Sequence, residues 1–277
     1  MTDFAMGPAL LFCPADRPER FSKAAERSDA VILDLEDAVA PGAKAAARQA
    51  LISHPLDPAK TIVRVNPAQS HDFALDLQAL RDTRYRTIML AKAEGREDLW
   101  ALSGFDVVAL CETARGVLKA TELAEEPNVV ALMWGAEDLV ASLGGTASRT
   151  DDGGYRDIAL HARSMVLLAA AAAGKHAVDA VYVNIPDLEG LAAEARDAVA
   201  SGFGLKACIH PSQVPVIREA YRPSAEEEQF ARELLAAAQH EGGVFTFRGK
   251  MVDGPILRHA EQTLRRAGHK GRGAALR

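Results

Sequence analysis

Eight short runs of apolar and β-branched residues recur along the chain and constrain its fold more than any other feature. They are Ala9–Pro14, Ala30–Leu35, Thr61–Val65, Thr87–Ala91, Asp106–Cys111, Val129–Trp134, Ala180–Asn184 and Leu205–Ile209. Runs that are apolar on successive residues suit strands buried on both faces, the usual condition of a parallel sheet. Amphipathic or alanine-rich stretches of helical length separate most of them. Regular alternation of this kind predicts an α/β fold, a TIM (β/α)8 barrel. A doubly wound open sheet is the competitor, but no GxGxxG or GxxxxGK[ST] follows a strand.

Residues 1–222 hold all of these runs and are read as the barrel, with 223–277 as a C-terminal helix, hairpin arm and final helix. Ser224, followed by Glu226, Glu227 and Glu228, opens an amphipathic stretch that continues to Gln239. A hydroxyl can cap the free amides there, and the acids favour the positive end of the helix dipole. GG, VFTF, RGK and MVD then read as a hairpin or extended arm, and Pro255 suits the start of a last helix through Arg266. The GHKGRGAALR end is expected to fray. An arm beyond the eighth strand is free to cover the barrel mouth or to cross to a neighbouring subunit.

Composition narrows the partners. The 277 residues are 48% hydrophobic and 25% charged with a net charge of -6, enough for a large core and no general attraction for nucleic acid or an anionic membrane. No apolar run nears the ~20 residues that span a bilayer, and Met1–Gly7 lacks the parts of a signal peptide, so the cytoplasm is the expected compartment. Cys13, Cys111 and Cys208 lie far apart in apolar runs without CxxC spacing, and read as buried reduced thiols.

Chemistry collects at the ends of the runs: Asp34, Glu36 and Asp37 after the second, Arg64 and Asn66 at the third, Lys92 at the fourth, Glu112 at the fifth and Asp138 just after the sixth. In a barrel these ends surround one cavity, where barrel enzymes carry their sites. The stretch Asp106–Asp138 is a strand–helix–strand unit, its helix over Val117–Glu125, and it brings Glu112 and Asp138 together. Two hard oxygen ligands without a His or Cys set suit Mg²⁺; the plainer alternative is a pair of solvated loop acids. Asp34, Glu36 and Asp37 could fix a metal-bound water or a basic group, or simply pair with Arg64 and Lys92 to hold the mouth together. Arg64 offers a planar fork for a carboxylate or developing enolate, with a structural salt bridge as the alternative. Lys92 could be a Schiff-base nucleophile, but several nearby acids favour a protonated amine acting electrostatically. Arg17 and Arg20 could meet phosphates or be surface charges, and His210 could bind substrate or be a structural hydrogen-bonding residue.

LFCPADRPERF, DLEDAV, RVN, CETARG, GAEDL, CIHPSQ and GKMVDGP, in that order, closely resemble the citrate lyase beta-subunit-like proteins of the HpcH/HpaI aldolase superfamily, over about residues 9 to 265. The resemblance implies a Mg²⁺-dependent barrel lyase acting on acyl-CoA substrates. It makes Glu112 and Asp138 the metal ligands and Arg64 a substrate-binding, enolate-stabilising group. It also implies that backbone amides around Ala136, Glu137 and Asp138 hold a keto-acid carboxylate, and that Arg17 and Arg20 lie near the phosphates of coenzyme A. Asp253 becomes the general base, brought on the C-terminal arm, often from a neighbouring subunit, which suggests a homotrimer. The expected reaction is retro-Claisen cleavage of a carboxylated 3-hydroxyacyl-CoA to acyl-CoA and a keto acid. The alternative is a beta subunit acting on a citryl carrier within a citrate lyase complex.

Overall fold

The computed structural model describes residues 6–241 and 243–268. Beyond Gly268 the expected frayed end therefore lies outside the described residues. The chain divides into two compact units, the first running to Ile217 and the second starting at Arg218.

In the first unit, β1 (Ala9–Pro14), β2 (Ala30–Asp34), β3 (Thr61–Val65), β4 (Thr87–Leu90), β5 (Asp106–Cys111), β6 (Val129–Trp134), β7 (His176–Asp179) and β8 (Leu205–Cys208) each pair in parallel with the next. β8 returns to β1, closing an eight-stranded parallel barrel. The connections carry α1 (Phe21–Arg27), α2 (Lys44–Ser53), α3 (His71–Arg81), α4 (Ala114–Leu118), α5 (Ala120–Ala124), α6 (Ala136–Ser142), α7 (Asp157–Ala172) and α8 (Leu188–Ser201), and the unit boundary falls within α9 (Gln213–Tyr221). Leu10, Ile32, Ile62, Met89, Val108, Met133 and Val178 pack together inside the barrel. Their strand neighbours Leu33, Val63 and Leu132 are buried as well, so both faces are dry and the strands read as unbroken apolar runs. All strand C-termini open on one side, and Asp34, Arg64, Lys92 and Glu112 stand at or just past the ends of their strands there.

Two elements differ from the expectation. The seventh strand is His176–Asp179, in register with Ala131–Met133, whereas the expected run Ala180–Asn184 follows it as irregular chain. The true strand is disguised by polar ends: His176 is exposed, and Asp179 is buried against a lysine on β8. The helix expected over Val117–Glu125 is broken at Lys119 into α4 and α5.

The second unit holds α10 (Ala225–Ala238), a hairpin of β9 (Phe245–Phe247) and β10 (Lys250–Val252), and α11 (Gly254–Arg266). Ser224 and Glu227 cap α10 reciprocally, the serine hydroxyl accepting from the Glu227 amide and the Glu227 carboxylate from the Ser224 amide. Ala231, Leu234, Val252 and Ala260 form this unit's own small core with Phe230 and Leu257. Among the described residues no helix is long and apolar enough to cross a membrane. All three cysteines are buried thiols outside any disulfide.

Candidate active site

The mouth is built outward from one ion pair. Asp34 ends β2 opposite Arg64 on β3, and its carboxylate accepts from Arg64 Nε at 2.7 Å and Nη2 at 2.6 Å. The same carboxylate accepts the amides of Glu36 at 2.9 Å and Ala38 at 3.2 Å, so it holds both the guanidinium and the turn that follows. Arg64 Nη1 reaches Glu36 at 2.9 Å, and the ring of Phe12 lies 5.0 Å beneath the guanidinium carbon. With one edge and one face engaged, the guanidinium is locked in orientation.

Glu36 bridges to Lys92, whose ammonium donates to it and lies 3.3 Å from both Asp37 and Asp138. Lys92 has a positive φ of 49°, a left-handed conformation costly for a residue with a Cβ. That conformation aims its amide at Glu112 Oε1, 3.1 Å away. On the other side, Gly135 lets β6 pass: a Cβ there would stand 2.9 Å from Glu112 Cβ and Oε2. Glu112, from the end of β5, and Asp138, from the first turn of α6, thus converge around Lys92 as the strand–helix–strand reading requires.

The charges do not balance locally. Glu112 is only 3% exposed, and burial, reinforced by the Asp138 carboxylate, pushes its acid up to about 8 despite the opposing charges of Arg64 and Lys92. Burial would lower Lys92, but its bond to Glu36 and the surrounding carboxylates outweigh that and push it upward. Arg64 is likewise driven up, Asp34 overcoming burial. Both therefore remain cations, which leaves Lys92 no free lone pair for Schiff-base chemistry. Among the described residues no group of three or more His, Cys, Asp or Glu could enclose a metal, so the site is an open carboxylate pair. A buried acid raised by a second carboxylate is a donor set that fits an added hard cation retaining water or substrate oxygens.

Comparison with known proteins places the chain in a family. The family described as HpcH/HpaI aldolase/citrate lyase matches residues 9–105 and 101–211. A citrate lyase subunit beta-like protein of Mycobacterium tuberculosis is 58% identical over 264 residues, covering 95% of this chain and 97% of its own length. The chain belongs to the HpcH/HpaI aldolase/citrate lyase family. The human mitochondrial citramalyl-CoA lyase is 33% identical, over 92% of this chain and 84% of its own length. The crystal structure of the M. tuberculosis protein CitE in complex with magnesium, acetoacetate and coenzyme A superposes with a TM-score of 0.92 at 57% identity, covering 96% of this chain and all of that one. Like these relatives, the chain is a carbon–carbon lyase.

Other residues singled out in the sequence have different partners. Arg17 and Arg20 are well exposed, and their near ion contacts are 3.9 Å to the adjacent Asp16 and Glu19. Ala136 is buried at the start of α6, and Glu137 accepts from Ser148 Oγ at 2.6 Å. His210 is exposed, its Nδ1 2.8 Å from Ser212 Oγ. Asp253 belongs to the second unit, where its side chain caps α11 by accepting from the Ile256 amide. Sequence reasoning missed Phe12, Gly135, Lys44 and Gln213. Gln213 is fully buried; its Oε1 accepts the Ile209 and His210 amides while its Nε2 donates to Tyr182 O, joining the loops after β7 and β8. Lys44 carried a legible signal, because a cation in the first turn of a helix opposes the helix dipole and calls for another partner.

Proposed function

We propose that this family member cleaves a carboxylated 3-hydroxyacyl-CoA of the citramalyl-CoA, malyl-CoA or 3-hydroxy-3-methylglutaryl-CoA type to an acyl-CoA and a keto acid. The observation that carries the reading is Glu112, buried and raised beside Asp138, on the mouth where Arg64 is held by Asp34 and Glu36. Glu112 and Asp138 would hold Mg²⁺, which when bound polarises the substrate oxygens as a Lewis acid. The magnesium and coenzyme A bound to the M. tuberculosis relative support both groups here.

The chain's own residues then account for the proton and the electron pair. Asp253, supplied on the C-terminal arm of a neighbouring subunit in a homotrimer, accepts the hydroxyl proton. As that C–O bond becomes the carbonyl of the keto acid, the carbon–carbon bond breaks and its electrons pass to the thioester fragment as an enolate, whose carbon then takes up a proton to give the acyl-CoA. Arg64 faces the enolate oxygen with charge already oriented by Asp34 and Glu36, so no reorganisation is needed as the charge develops. Lys92 stays an ammonium and keeps Glu36, Asp37 and Asp138 gathered. Backbone amides around Ala136–Asp138 receive the keto-acid carboxylate, while Arg17 and Arg20 meet the phosphates of coenzyme A in a cytoplasmic enzyme.

The test is a steady-state assay of the purified chain on those three thioesters, with Mg²⁺ or EDTA, following keto acid and free thiol separately. Metal-dependent keto acid without thiol is expected. Thiol release would indicate hydrolysis, and silence on all three would favour the alternative, a citryl-carrier lyase beta subunit that needs its complex.

A further inference from the structure

Behind the mouth lies a buried polar group that the reaction does not use. Lys44 begins α2, is 8% exposed, and directs its ammonium at three neutral acceptors: Leu35 O at 2.8 Å, Glu36 O at 3.1 Å and Asn66 Oδ1 at 2.5 Å. Burying an ammonium is costly, and a counter-charge is the usual compensation. Among the described residues Lys44 has none, in contrast to Lys206, which is also buried but reaches Asp179 at 2.7 Å and Glu194 at 2.9 Å. Its charge is spent on backbone carbonyls of the turn that carries Glu36.

The support continues inward. Asn66 Nδ2 donates to Leu35 O at 3.1 Å and to Asp76 Oδ2 at 2.7 Å, and its amide donates to the same Asp76 oxygen at 2.9 Å. Asp76, fully buried on α3, is held at its other oxygen by Arg48 at 2.9 Å. One polar chain thus grips the backbone just past β2 and just past β3, the strands whose last residues form the Asp34–Arg64 fork.

We propose that Lys44, backed by Asn66 and Asp76, is a positioning residue for the lyase site. It fixes the Leu35–Asp37 turn so that Glu36 faces Arg64 and Lys92, and it touches neither substrate nor metal. The catalytic consequence rests on the lyase reading above; the positional one does not. Small misplacement of such groups can cost about a hundredfold in rate.

The experiment compares Lys44→Met, Lys44→Arg, Asn66→Ala and Lys206→Met in the full chain by thermal unfolding, citramalyl-CoA kinetics and amide hydrogen exchange over residues 35–39. Lys44→Met should speed exchange in that turn and lower kcat about tenfold or more, with KM little changed. Lys44→Arg, which can still donate to the carbonyls, should recover part of both. Lys206→Met should lower the melting temperature yet leave the turn and kcat unchanged. If Lys44→Met does not fold, Asn66→Ala, which removes one acceptor and the Leu35 clamp, carries the same expectation. Unaltered turn exchange in the folded variants overturns the proposal, as does a kcat loss that Lys206→Met reproduces. An inactive wild type would defeat the lyase reading instead, while the exchange measurement would still decide the positional claim.

Discussion

Two buried carboxylates, Glu112 at the mouth and Asp179 under the outer helices, are almost equally hidden from water yet titrate in opposite directions. Burial pushes both upward. At Asp179 this is outweighed by Lys206 at 2.7 Å, Arg163 at 3.0 Å and the Trp134 indole at 2.8 Å, which hold the acid below its ordinary range. At Glu112 the next largest influence is another carboxylate, Asp138, and the acid is pushed to about 8. The first cluster is closed: cations from α7 and β8 and a donor from β6 neutralise one acid and tie strands to helices. The second is left open to a ligand. Burial alone therefore does not mark a candidate site; burial without compensation is what makes Glu112 one.

The largest effect should come from the open cluster. Asp138→Ala or Glu112→Ala should reduce metal-dependent turnover by about a thousandfold or more, as expected when a metal and its charge stabilisation are lost. Calorimetric Mg²⁺ titration would show whether binding disappears with activity. In the metal-free chain above about pH 8, where Glu112 is ionised, Glu112→Gln should raise the melting temperature, because it removes a buried charge facing a like charge; no gain would blur the contrast drawn here. Next, Arg64→Lys should lower kcat about a hundredfold, since a point charge cannot keep the two-pronged contact with Asp34 and the bond to Glu36.

The arm is tested by mixing inactive Asp253→Ala and Arg64→Ala chains under conditions of demonstrated subunit exchange. Mixed oligomers should regain activity if each site draws on two chains. No recovery would count against sharing.

In the closed cluster, Lys206→Met should cost about 3–5 kcal/mol, the scale for stranding one partner of a buried pair, with kcat unchanged at a permissive temperature. The smallest effect is on pH dependence. The folded state holds Asp179 below its ordinary 3.8, so it binds fewer protons than the unfolded chain near that pH. The stability this contributes is present above about pH 4 and is lost as the pH falls through the folded-state value. Asp179→Asn should flatten the acid limb of the melting-temperature profile, and an unchanged limb would remove Asp179 from the comparison.

Much of the barrel was legible because buried parallel strands need unbroken apolar runs, and those around Ile32, Ile62, Val108 and Leu132 have them. β7 was misplaced because its termini, His176 and Asp179, are polar while the following Ala180–Val183 is apolar, and periodicity cannot see that a buried acid will meet Lys206. At the mouth, the acids and Arg64 stood at run ends and were readable. That Asp34, Glu36 and Asp37 pair with Arg64 and Lys92 stood as one of two readings, and the structure shows those pairs; which atoms meet was not legible.

By itself the sequence determined the strand–helix alternation, the side of the barrel where the charged residues gather, and the family, since each depends on local pattern or ordered motifs. Only the tertiary structure decided that Asp34 holds Arg64, that a left-handed Lys92 offers its amide to Glu112, that Gly135 makes room for that acid, and that Lys44 grips the turn behind it. These are contacts between residues far apart in the chain. Their strength depends on the water and counter-charges that folding removes or supplies, which no local pattern records.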